Sequence, residues 1–88
     1  MSNINDVDIG NILKEIRIEK GVSQESLARQ LNKGQSDIAK IESGQKKITF
    51  LDFLSFCMKL GLSMKETTSL IELKFQNIWK NKSLWSDE

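Results

Sequence analysis

Histidine, proline and tyrosine are absent from this chain of 88 residues, and cysteine occurs once, as Cys57. Without histidine a Ser or Cys nucleophile has no imidazole base, and the commonest metal ligand is missing. The carboxylates form no close cluster that would replace it as a metal site. A lone cysteine cannot close an internal disulfide and suits a reducing compartment. The glycines are dispersed, at Gly10, Gly21, Gly34, Gly44 and Gly61, and so build no phosphate-binding loop. No apolar run approaches the roughly 20 residues of a membrane span. The opening Met1-Ser2-Asn3-Ile4-Asn5-Asp6 has neither the basic flank nor the apolar stretch of a signal peptide. These absences argue against an enzyme, a metal site, a cofactor and a membrane partner. They favour a soluble, cytosolic protein.

The length suits one domain with one modest core. The glycines recur at intervals of a short helix plus a turn, and no proline interrupts them, which predicts a compact bundle of short helices. The formal net charge is only +1, low for a nucleic-acid binder, but it is unevenly spread. Between Ser23 and Lys47, Arg29, Lys33, Lys40, Lys46 and Lys47 face Glu25, Asp37 and Glu42, a net +2, whereas Asp6 and Asp8 give the first eight residues −2.

Ile9, Ile12, Leu13 and Ile16 are helically spaced, predicting a first helix over residues 9–20, with Asp8 as its N-cap and Gly21 as its stop. Ser23 caps a second helix over 24–31 that buries Leu27, Ala28 and Leu31, and Glu25 complements its N-terminal dipole. Asn32-Lys33-Gly34 breaks the pattern; Asn and Gly both tolerate a left-handed backbone. A third helix covers 35–43, with Ile38 and Ile41 inward and Gly44 at its C-terminal end. Thr49 caps a fourth, rich in Phe50, Leu51, Phe53, Leu54, Phe56, Cys57 and Leu60, and Gly61 ends it. Ser63 with Glu66 forms a capping-box pattern for a fifth.

Two short helices joined by a tight turn can be no more than a structural corner. Here Ala28 falls where the second and third helices approach, and a bulky residue would hold them apart. The face of the third helix opposite Ile38 and Ile41 carries Gln35, Ser36, Ala39, Lys40 and Ser43. These side chains are hydrogen-bonding or small, and such a face enters a major groove without steric conflict.

The runs Gly21-Val22-Ser23-Gln24-Glu25-Ser26-Leu27-Ala28-Arg29-Gln30-Leu31 and Gly34-Gln35-Ser36-Asp37-Ile38-Ala39-Lys40-Ile41-Glu42-Ser43-Gly44 resemble the lambda-repressor-like, or Xre-type, helix-turn-helix family. The resemblance covers about residues 9 to 62. It implies an all-α, compact five-helix DNA-binding domain, here with an extended C-terminal helix. It divides the chain into a polar N-terminal arm (1–8), the helix-turn-helix domain (9–62) and a C-terminal helix and tail (63–88). By the same resemblance Gln24 contacts a DNA phosphate, in keeping with the positive pole of a helix N-terminus. Gln35 and Ser36 match positions that reach base edges, where Gln pairs with adenine. Lys40 matches a further base-reading position, serving guanine or phosphate. Ser43, Gln45, Lys46 and Lys47 match backbone-contacting positions. Arg17 and Glu42 match an ion pair that orients the reading helix more than it stabilises the fold.

Asp37 fits the dipole at a helix N-terminus or accepts from cytosine, and the structural role is the expected one. Cys57 reads as a small core residue. The fourth helix has apolar residues on more than one face, which predicts core plus some partner surface. Leu70, Ile71, Phe75, Ile78 and Trp79 form a stripe that either packs internally or seals an isologous dimer. The dimer is favoured because regulators of this type read paired half-sites. Trp85 anchors a partner or is simply exposed.

The expected function is sequence-specific binding of double-stranded DNA by a dimeric transcriptional regulator, a repressor or repressor-activator. Two alternatives share the fold: an antitoxin, whose fifth segment and tail would contact a toxin, and a phage or restriction-modification controller.

Overall fold

The computed structural model describes residues 5–82, with side chains as far as Asn77. Five helices follow one another: α1 (Asp6–Glu19), α2 (Gln24–Gln30), α3 (Gln35–Ser43), α4 (Phe50–Lys59) and α5 (Met64–Lys82). No strand occurs among the described residues.

The start of α1 differs from the sequence expectation. Asn5, not Asp8, is the N-cap, and its side-chain oxygen accepts from the Asp8 amide at 3.1 Å. Asp8 Oδ2 in turn accepts from the Asn5 amide at 3.0 Å. Such a reciprocal box satisfies two otherwise orphaned amides where a lone Asp8 cap would satisfy one. At the end of α2, Leu31 is the C-cap and stays half-buried, where full burial was expected. Asn32 takes the left-handed conformation in the turn, with φ 58°.

The other caps follow their residue chemistry. Ser23 accepts from the Ser26 amide and Thr49 from the Asp52 amide. Ser63 and Glu66 exchange bonds of 3.0 and 2.9 Å. The Ser63 amide and hydroxyl hold the Glu66 carboxyl below the usual carboxylate range. Gly44 closes α3 at φ 83°, and a Cβ there would also collide with Val7 in the first turn of α1.

The core is formed by Ile12, Leu13 and Ile16 of α1, Leu27 and Ala28 of α2, Ile38 and Ile41 of α3, and Phe53, Phe56 and Cys57 of α4. Leu60 and Leu62 close it. Full burial of each large member contributes about 1.5–3 kcal/mol. The tightest approach lies between α1 and α3. A Cβ on Gly10 would meet the Ile41 and Glu42 carbonyl oxygens, the latter at 2.6 Å. Glycine at position 10 lets α1 lie directly on the last turn of α3, and so fixes how α3 sits.

α5 rests on this unit through half-buried Leu70, Ile71 and Phe75. Lys74 Nζ reaches across to Glu15 at 2.9 Å and Glu19 at 3.7 Å. Partial burial opposes its charge, but the two carboxylates outweigh that and hold the ammonium above its ordinary pKa.

Candidate nucleic-acid interface

α3 buries Ile38, Ile41 and Glu42 and exposes Gln35, Ser36, Lys40 and Ser43, with Ala39 half-buried. Position 39 carries only a methyl group, so the exposed face has little bulk at its middle. The outer residues can approach base edges in a groove about 12 Å wide. The loop after α3 exposes Gln45, Lys46 and Lys47 on the C-terminal side of the helix.

A buried ion pair joins α1 to this helix. Arg17 Nε donates to Glu42 Oε2 at 2.6 Å and Arg17 Nη2 donates to Oε1 at 3.1 Å. Arg17 Nη1 also donates to the Val22 carbonyl at 2.7 Å, tying in the turn before α2. Both side chains are buried, at 10% and 3% exposure, so neither charge can turn to water instead. The forked guanidinium meets both carboxylate oxygens, a geometry that fixes direction as well as distance.

The network continues outward. Gln24 Nε2 donates to Glu42 Oε1 at 3.0 Å, and Gln35 Nε2 donates to Gln24 Oε1 at 3.5 Å. Arg17, Glu42, Gln24 and Gln35 thus form one line from the core to the N-terminal tip of α3. Gln24 is half-buried and Gln35 exposed. Sequence spacing pairs Arg17 with Glu42 only through the family resemblance; the two glutamines, 11 residues apart, carry no local signal of their contact.

At the other flank of α3, Lys46 Nζ lies 3.3 Å from Asp37 Oδ1. The hydrogen bond and charge of Lys46 hold the Asp37 carboxyl below its ordinary pKa, with the Gly34 amide and the Lys33 charge adding to them. The Ser43 hydroxyl donates to the Lys40 carbonyl at 3.1 Å and keeps its oxygen lone pairs. Gln45 and Lys47 stand exposed.

A separate apolar surface spans α4 and α5. Phe50 and Leu51 in the first turn of α4 are 68% and 74% exposed. Beside them Ile9, Ile48, Phe53, Ile71 and Phe75 line a groove of about 220 Å³, to which Phe50 also contributes. Sequence reasoning expected partner contacts on α5 and, in part, on the fourth helix; that Phe50 and Leu51 are the exposed ones depends on which face of α4 turns inward. Leu70, Ile71 and Phe75 contact the core as well as edging this surface. Ile78, Trp79 and the tail with Trp85 lie outside the described side chains. Among the described residues no group of three or more His, Cys, Asp or Glu is placed to hold a metal ion. No described helix is long and apolar enough to cross a membrane.

The helix-turn-helix domain family matches residues 10–73. The control protein C.MunI of a Mycoplasma species is 35% identical over 72 residues, covering 78% of this chain and 97% of that protein. The restriction-modification controller protein C.Esp1396I, solved as a tetramer with its natural 35 base-pair operator, superposes with a TM-score of 0.70 at 25% identity. That match covers 88% of this chain and 97% of the other. The wild-type controller C.Esp1396I gives a TM-score of 0.72 at 25% identity over the same shares. On sequence and fold together, the chain belongs to the lambda-repressor-like helix-turn-helix family of DNA-binding transcriptional regulators.

Proposed function

We propose that the protein is a controller of the restriction-modification type, which binds an inverted-repeat operator as a homodimer and regulates transcription from it. The observation that carries this reading is the hydrogen-bonded line from Arg17 through Glu42 and Gln24 to Gln35. It holds one polar side chain at the N-terminus of α2 and another at the tip of α3, the two places where such a motif meets phosphate and base. In this reading Gln35, Ser36 and Lys40 contact bases. Gln24, Ser43, Gln45, Lys46 and Lys47 contact the DNA backbone, and the protein acts in the cytoplasm without catalysing a reaction. The match to C.MunI along most of both chains supports the controller role over the antitoxin alternative.

The dimer seam is assigned to α5, with Leu70, Ile71 and Phe75 and, by continuation of the helix, Ile78 and Trp79. Phe50 and Leu51 extend it onto α4. A two-fold axis would bring each copy's exposed phenylalanine and leucine against the other's and remove a contiguous apolar patch from water. Selection of bound duplexes from a random pool, combined with sedimentation of the free protein, tests both parts. Enrichment of an inverted repeat by a protein of dimer mass is expected; a monomer that enriches no sequence contradicts the reading.

A further inference from the structure

Asp37 is an acidic group on the flank of a surface otherwise made of amide, hydroxyl and ammonium side chains. It lies in the first turn of α3, directly after Gln35 and Ser36, and its Oδ1 is 3.3 Å from Lys46 Nζ. The two side chains are 38% and 48% exposed, so the pair is open to solvent on the flank of α3. A lysine held by a carboxylate is not free to meet a phosphate, and the carboxylate itself repels one. Both effects weaken binding to every sequence alike. In the major groove cytosine presents an amino donor and no acceptor of its own, so a carboxylate can accept from it, with the guanine O6 of the same pair on one side only. Adenine also offers an amino group there, but its N7 acceptor lies beside it and repels a second carboxylate oxygen.

We propose that Asp37 is a specificity-determining residue: paired with Lys46 off DNA, it lowers affinity for any duplex, and a cytosine amino group in the operator offsets that loss. This rests on the reading that α3 enters the major groove. Off the operator, Lys46 must either stay with Asp37 or leave the carboxylate facing phosphate. On the operator, the cytosine amino group takes the carboxylate and Lys46 is released to the backbone.

The experiment compares the full chain with Asp37→Asn, Lys46→Ala and the double variant. Each is titrated with a mixed-sequence duplex and each is used to select duplexes from a random pool. Asp37→Asn should tighten binding to the mixed-sequence duplex roughly three- to fivefold, the ratio an exposed ion pair can carry. Its dependence of log affinity on log salt should steepen by about one. The preference at one position of each half-site should move from cytosine towards adenine, with which an amide pairs. In the Lys46→Ala background the non-specific gain should shrink to less than half. Unchanged non-specific affinity in Asp37→Asn, a retained cytosine preference, or an undiminished gain without Lys46 would each overturn the proposal. Failure of the unsubstituted protein to bind any duplex would instead overturn the DNA-binding reading beneath it.

Discussion

Gln24 Nε2 donates to Glu42 Oε1 at 3.0 Å, so the side chain at the start of α2 is held by the same buried carboxylate that meets Arg17. The carboxylate therefore couples packing to presentation. Removing it strands the Arg17 guanidinium in the interior and frees Gln24 at the surface. Glu42→Ala should cost about 3–5 kcal/mol of stability, the range for leaving one partner of a buried pair alone. It should also weaken DNA binding at temperatures where the variant is still folded. Thermal denaturation followed by duplex titration measures both, and an unchanged melting temperature would contradict the role.

Gly10→Ala sets two effects against each other. Alanine favours a helix over glycine by about 1 kcal/mol. Against this, the new methyl group would press on backbone oxygens of Ile41 and Glu42 rather than on a flexible side chain, so α1 and α3 must part along their contact. Overpacking of this kind costs about 1–3 kcal/mol or more, and here the backbone contact makes the upper end the expectation. A net loss near 2 kcal/mol would lower the melting temperature by roughly 8–16 °C. A rise would show that the helices can separate without loss.

Thr67 is 1% exposed, and its hydroxyl has no hydrogen-bond partner among the described residues. Thr67→Val keeps the branched shape and replaces the hydroxyl with a methyl group. The desolvation penalty of an unmatched polar group disappears, and stability should increase by about 1 kcal/mol. Chemical denaturation reads this directly as a higher midpoint at constant slope.

The turn chemistry and helix periodicity were legible from sequence because each is local. Ser23, Thr49, the Ser63 and Glu66 box, and Gly44 declare their roles within a few residues. The start of α1 differs from its sequence expectation because Asn5 and Asp8 both have capping side chains, and only their reciprocal bonding shows that one is the cap and the other its first-turn partner three residues on. Of the interface, the exposed face of α3 followed from its period. The bonds that orient it join residues 11 to 25 positions apart, and no local pattern encodes them. Lys74 with Glu15, 59 positions apart, and the close approach at Gly10 are likewise products of how the helices cross.

Cys57 is completely buried, and burial pushes its thiol up to about 11 from an ordinary 9.0. At neutral pH the thiol should react with a disulfide reagent only as fast as the protein opens. Because the folded state holds this proton more tightly than the unfolded chain, the associated stability is present below pH 9 and is lost as pH rises towards 11. The fall in unfolding free energy across that interval should be smaller in Cys57→Ala than in the unsubstituted protein. Equal falls would show that Cys57 does not contribute.

The central claim, that α3 reads base sequence from a frame fixed by Arg17 and Glu42, is tested most directly by competition between a selected duplex and its scrambled counterpart over a range of salt. Phosphate contacts weaken steeply with salt for both duplexes, whereas base contacts set the ratio between them. The account predicts that both affinities fall together while the preference for the selected duplex persists, and that Gln35→Ala reduces the preference. Equal affinity for the two duplexes at every salt concentration would contradict it.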